Sequence, residues 1–223
     1  MTGELSFRNI AWAHIFFQPC RSNNYWEILG KSPSDIGFDL RLFLFLNGWQ
    51  CRITKNSLVR YEILSTVNKI WDKIQPRVFK FDFINQGNMQ SELFDRLSNI
   101  RWLNKDGSHR SLGPTATSKI LHVLRPDVFV MWDAPIRDHY GLDGSFSSYQ
   151  KFNSMMREQA VRIVELILAK SRERDSVEHM LSTLLCNRLR CNHPRFLSLT
   201  KLIDEYNWLA ITNRIDDDRI AFC

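Results

Sequence analysis

The residue types that could do chemistry in this 223-residue chain concentrate between positions 110 and 142, RSLGPTATSKILHVLRPDVFVMWDAPIRDHYGL. Asp133 follows five consecutive apolar residues, Val128 to Trp132, and lies two before Pro135. A carboxylate so placed is expected to be partly withdrawn from water, which strengthens its interaction with any charge beside it. Taken alone, an Asp at such a junction reads first as a helix N-cap. Upstream, Gly113 and Pro114 form a turn, and the proline pre-sets the first helical position. Thr115, Thr117 and Ser118 then fall in the first turn, where hydroxyls and free N–H groups together suit a phosphate oxygen. Lys119 on the same helix reads as a solvated position and is a secondary catalytic candidate. Cys186, Cys191 and His193 give C-x4-C-x-H with His179 upstream, the donor types of a zinc site. Two cysteines on a helix are more often small core residues, so no metal is expected.

Helical periodicity dominates the elements that would position these residues. It predicts helices over 39–49, 57–74, 91–102, 115–124, 154–170, 176–189 and 194–209. The first reads as a buried helix, with Leu40, Phe43, Leu44 and Leu46 covering much of its circumference. Strand signals are weak: residues 77–84 alternate poorly, and 128–132 reads as a short strand or extended loop. Residues 1–35, with Pro19, Pro33 and several Ser and Asn, read as an irregular arm ahead of one helical domain over 36–223. The expected fold is mostly α, a two-lobed helical bundle.

Composition excludes several classes. Hydrophobic residues make up 44% and charged residues 24%, with only 9 Gly and 7 Pro, so disordered, collagen-like and linker-like chains are ruled out. No run approaches the ~18 apolar residues a membrane helix requires, so no membrane is expected. The five cysteines are scattered and residues 1–9 lack the apolar core of a secretory signal, which points to a reducing compartment. The formal charge is +6. It is uneven: 28 basic against 19 acidic residues precede position 202, and two against five follow. A basic body is compatible with a polyanionic partner, and equally with an ordinary soluble surface.

The layout of 110–142 resembles the helix-hairpin-helix DNA glycosylase superfamily. Leu112-Gly113 resembles the end of that family's hairpin, Thr115-Ala116 the start of the helix it opens, and Pro126 its spacer proline. Trp132-Asp133-Ala134-Pro135-Ile136 resembles the catalytic stretch, with Ile136 at the family's apolar position and Arg137 and Gly141-Leu142 trailing it. Residues 42–50 resemble the early helix, whose Gln-bearing end corresponds to Gln50. The resemblance covers about 38–170 and is specific around Asp133. The hairpin itself departs from the pattern: Ser111-Leu112-Gly113 replaces the full motif and the preceding loop, 103–110, is longer. Bifunctional members carry a lysine where Thr115 stands, and Lys119 lies four residues further on.

The resemblance implies a monofunctional DNA glycosylase. Such an enzyme hydrolyses the N-glycosidic bond of a damaged or modified base flipped out of the duplex. A bulky modified base of viral DNA, removed in anti-phage defence, is one such target. Asp133 would stabilise the oxocarbenium-like transition state and orient the attacking water. Trp49, Gln50, Arg52 and, secondarily, Asn56 would read the base or wedge the duplex. Lys105, His109, Arg110, Gly113, Thr115, Thr117, Ser118 and Arg137 would contact the backbone. The expected partner is double-stranded DNA, with no cofactor, for a monomer in the cytoplasm at the bacterial nucleoid. The alternative is a non-catalytic helix-hairpin-helix module that binds DNA.

Overall fold

The computed structural model describes residue 13 and residues 24–29, 31–74, 87–104, 106–126, 128–168 and 199–212. The described chain is mostly α-helical. The predicted helix over 176–189, the strand reading over 77–84 and the Cys/His cluster lie outside the described residues, as does Lys105. The chain divides into two compact units. The first is Ser22–Asp133 with Asp143–Tyr149; the second draws on Ala134–Leu142 and on the chain from Gln150 onward.

The first unit begins with α1 (Asn24–Ile28) and α2 (Phe38–Gly48), which pack on each other. The helix α2 is not buried all round. Phe38, Leu42, Phe43, Phe45 and Leu46 are inside, whereas Leu40 and Leu44 are 55% and 45% exposed. Five neighbouring inward positions already complete one face, and the two leucines lie outside it. The next helix, α3 (Ser57–Ile74), matches the predicted span and buries Val59, Ile63 and Val67. Its Arg60 guanidinium sits 4.0 Å over the Phe43 ring.

The predicted helix over 91–102 is corrected at both ends. The helix α4 is Gly87–Ser98, and Trp102 belongs to a strand, β1 (Arg101–Leu103). This strand pairs antiparallel with β2 (His109–Ser111), with Arg101 opposite Ser111, Trp102 opposite Arg110 and Leu103 opposite His109. Leu93, Phe94, Leu97, Ile100 and Trp102 are all buried. The apolar pattern therefore runs unbroken across the helix-to-strand change, which is why periodicity alone extended the helix.

The ribbon leads straight into α5 (Gly113–Leu124), which packs on α2 and α4. Gly113 has φ +71, a left-handed conformation that favours glycine at this turn. Residues 129–132, read as a short strand or loop, form no strand; the side chains described below satisfy their backbone groups instead.

The second unit contains α6 (Ala134–His139), most of α7 (Phe146–Leu168), and α8 (Leu199–Asn207) continued by a π-helical turn, Trp208–Thr212. It buries Ile136, Phe152, Met156, Leu202, Ile203 and Leu209. Among them lies a charged cluster: the Lys201 Nζ is 2.8 Å from Asp204 and 3.5 Å from Glu205, all three buried. No described helix is long and apolar enough to cross a membrane.

Candidate active site

Asp133 is half-buried and directly precedes α6. What matters is the segment that carries it. Phe129, Val130, Met131 and Trp132 are buried, and the backbone there is tied down by side chains. His122 Nδ1 meets the Phe129 carbonyl at 2.6 Å. The Tyr149 hydroxyl donates to the Val130 carbonyl at 2.9 Å. Ser118 Oγ accepts the Trp132 N–H at 3.3 Å, and the Trp132 indole N–H reaches the Pro114 carbonyl at 3.2 Å. Trp132 also packs against Tyr149, ring centroids 4.9 Å apart. Two side chains of α5 and one of α7 thus tie down the backbone at Phe129, Val130 and Trp132, ahead of Asp133. Such a supporting shell is what fixes a reacting group.

His122 is 0% exposed. Because a carbonyl can only accept, Nδ1 carries the proton. In the neutral ring Nε2 then accepts from the Tyr25 hydroxyl, 2.8 Å away. The sequence reading did not single out His122 or Tyr149. A polar residue in the middle of the apolar run ILHVL was the available signal, since a buried imidazole must find partners.

A second cluster forms where α2 ends. Gln50 N–H bonds the Asn47 carbonyl at 3.0 Å and Cys51 N–H bonds the Leu46 carbonyl at 2.9 Å. That is the double hydrogen-bond pattern of a Schellman cap, whose left-handed position is usually glycine. Here Gln50 occupies it with φ 60, and Arg52 repeats the left-handed conformation with φ 53. Each costs roughly 1–2 kcal/mol for a residue bearing a Cβ. Asn47 Oδ1 braces the corner by accepting the Ile53 N–H at 2.7 Å. Both Gln50 and Arg52 are exposed.

Lys119 supports this corner from below, and its expected solvated position is corrected. It is 6% exposed. Its Nζ donates to the Trp49 carbonyl at 3.1 Å and lies 5.2 Å over the Trp49 ring. A buried cation at the C-terminal end of a helix is favoured by the helix dipole. The Cys51 thiol contacts the same carbonyl at 3.8 Å. Burial pushes that thiol up, and the Lys119 ammonium pulls it partly back.

Several expected site residues are placed elsewhere than expected. Trp49 is 6% exposed and packs against Tyr25 and Phe45, so it is core and cannot wedge a duplex. Thr117 and Ser118 are buried, and their hydroxyls serve the protein. Thr117 donates to the Gly113 carbonyl at 2.8 Å and accepts from Ser98; Ser118 is committed to Thr115 and Trp132. Neither is open to a phosphate. The Asn56 carboxamide oxygen caps α3 through the Leu58 N–H at 2.9 Å. Gly113 and Thr115 remain half-buried at the head of α5. Arg137 lies in the second unit.

The β1–β2 ribbon supplies surface groups that the sequence reading only partly named. Directly paired residues share a face, so Arg101, Leu103, His109 and Ser111 lie on one side, and Trp102 and Arg110 on the other. The first four are exposed, Trp102 is buried and Arg110 is half-buried.

Comparison with protein-family models, curated proteins and solved structures returns no match. Among the described residues no group of three or more His, Cys, Asp or Glu could hold a metal ion.

Proposed function

We propose that this chain is a monofunctional DNA glycosylase of the helix-hairpin-helix type, acting on a flipped, damaged or modified base of double-stranded DNA. The observation that carries the reading is the anchoring of residues 129–132 by His122, Tyr149 and Ser118. That anchoring fixes the backbone leading into half-buried Asp133, which supports a role for its carboxylate in stabilising a transient sugar cation. No bond to the protein is needed: the N-glycosidic bond breaks with its electron pair leaving on the base, water adds to the anomeric carbon, and its proton passes to Asp133 and then to the departed base. Lys119 is not the nucleophile in this scheme. Its ammonium is committed to the Trp49 carbonyl, and its work is to hold the Gln50–Arg52 corner.

That corner supports the reading independently. Two strained, exposed polar residues with only Cys51 between them are the kind of backbone outlier that collects at binding sites. Gln50 can present both a donor and an acceptor to a base edge, and Arg52 a fork of donors.

A second reading, a non-catalytic DNA-binding module, is favoured by one observation: Asp133 stands immediately ahead of α6, where an Asp often serves as N-cap. Screening the bases released from modified genomic and viral DNAs by mass spectrometry separates the two. The glycosylase releases a free base and leaves an alkali-labile site. A module that binds duplex yet releases nothing from any DNA in the panel is the second reading.

A further inference from the structure

We propose that the exposed face of the β1–β2 ribbon inserts into double-stranded DNA, with Leu103 entering the base stack and Arg101 and His109 contacting phosphates beside it. The inference rests on the duplex reading above and adds a residue to it. A single exposed leucine means little on its own; the setting of this one is what points to DNA.

Leu103 is 61% exposed and directly opposite His109 on the neighbouring strand. Arg101 shares its face, two residues and about 7 Å away, close to two base-pair steps of a duplex at about 3.4 Å each. The result is an aliphatic tip between cationic or proton-donating groups, the composition of an architectural wedge that unstacks a base step. The ribbon is also firm. Its other face is sealed by buried Trp102, whose indole N–H bonds Asn104 at 3.2 Å. The loop is closed by Asn104 N–H to the Ser108 carbonyl at 2.9 Å. The exposed acid near the tip, Asp106, stays ionised, and its carboxylate accepts the Ser108 N–H and hydroxyl, which orients it toward the loop.

Position completes the argument. Leu112 N–H bonds the Ile100 carbonyl at 2.9 Å, which closes the ribbon onto the head of α5. Pro114, the second residue of α5, takes the indole N–H of Trp132, the residue before Asp133. Leu103 and Asp133 therefore stand on one continuous support inside the first unit. Trp49, the aromatic expected to fill the gap left by a flipped nucleotide, is buried, and Leu103 takes that role.

The test uses the full chain and a duplex carrying 2-aminopurine beside an abasic analogue, the empty position standing for a base already flipped. Insertion unstacks the 2-aminopurine and raises its fluorescence. Leu103→Ala should lose most of that rise while affinity, read by anisotropy, changes by less than about threefold, because phosphates carry most of the affinity. Leu103→Phe should restore the rise. Arg101→Gln should lower the slope of log affinity against log salt by about one. A full rise with Leu103→Ala overturns insertion by Leu103 and leaves duplex binding standing. Absence of salt-dependent duplex binding by the native chain at about 50 mM salt overturns the duplex reading and this proposal with it.

Discussion

Gln50 occupies the left-handed position of a helix cap where glycine is the ordinary choice. Nature of the side chain, not ease of folding, accounts for a glutamine there. Gln50→Gly should therefore stabilise the protein by about 1 kcal/mol in urea denaturation, through relief of the strained φ, while base release falls. Such a trade of stability for activity marks a functional residue. Lys119 belongs to the same corner. Lys119→Met removes a charged hydrogen bond to the Trp49 carbonyl and should cost about 1.5–3 kcal/mol in the same measurement. It should also move the pH midpoint of Cys51 alkylation further up, because the ammonium is what opposes the upward push of burial on that thiol. Borohydride should trap no covalent adduct between the native chain and DNA. None of this was visible in the spacing. Lys119 sits on a helix that reads as amphipathic, and a left-handed φ at a glutamine has no sequence signature.

The helices were legible where one apolar stripe ran between clear end signals. Ser57–Ile74 matches its expected bounds, and Gly113-Pro114 marks the true start of α5. The ribbon was not legible, because Leu97, Ile100 and Trp102 continue the apolar spacing of α4 while the chain turns into β1. The start of α7 was misjudged too, expected at 154 and found at Phe146. Its signal is polar rather than apolar: the Ser145 hydroxyl accepts the Ser148 N–H at 3.2 Å, an N-cap. Asp143 in turn accepts the Ser145 N–H and hydroxyl, and those bonds hold its carboxyl down at about 2, from an ordinary 3.8. A depressed carboxyl supports folding above its unfolded value and loses that support as pH falls through its folded one. The start of α7 should therefore stay capped at neutral pH and loosen only between about pH 4 and 2. Carboxyl NMR should place the Asp143 midpoint near 2; a midpoint near 3.8 would mean the cap does not form.

At the scale of the whole molecule, both units bury polar groups, to different ends. The first buries His122, Thr117, Ser118 and Lys119, and each of the four points a bond at the Asp133 segment, the head of α5 or the Gln50 corner. The second buries Lys201 between Asp204 and Glu205, far along the chain from any expected site residue. Lys201 is a buried partner of both carboxylates, so Lys201→Met should cost about 3–5 kcal/mol of stability in thermal or urea unfolding. The chain's basic surplus is compatible with a polyanionic partner, but composition could not say which surface would meet one; the ribbon face with Arg101 and His109 is the surface proposed above.

The most direct test of the central proposal is base release by Asp133→Asn under single-turnover conditions. The substrate is whichever modified duplex the native chain cleaves to an alkali-labile site. The change is nearly isosteric, so the anchored segment and duplex binding should remain. Release should fall by at least about a thousandfold, the scale expected when an electrostatic stabiliser of the transition state is lost. Release at the native rate by Asp133→Asn would contradict the assignment of Asp133 as the catalytic carboxylate.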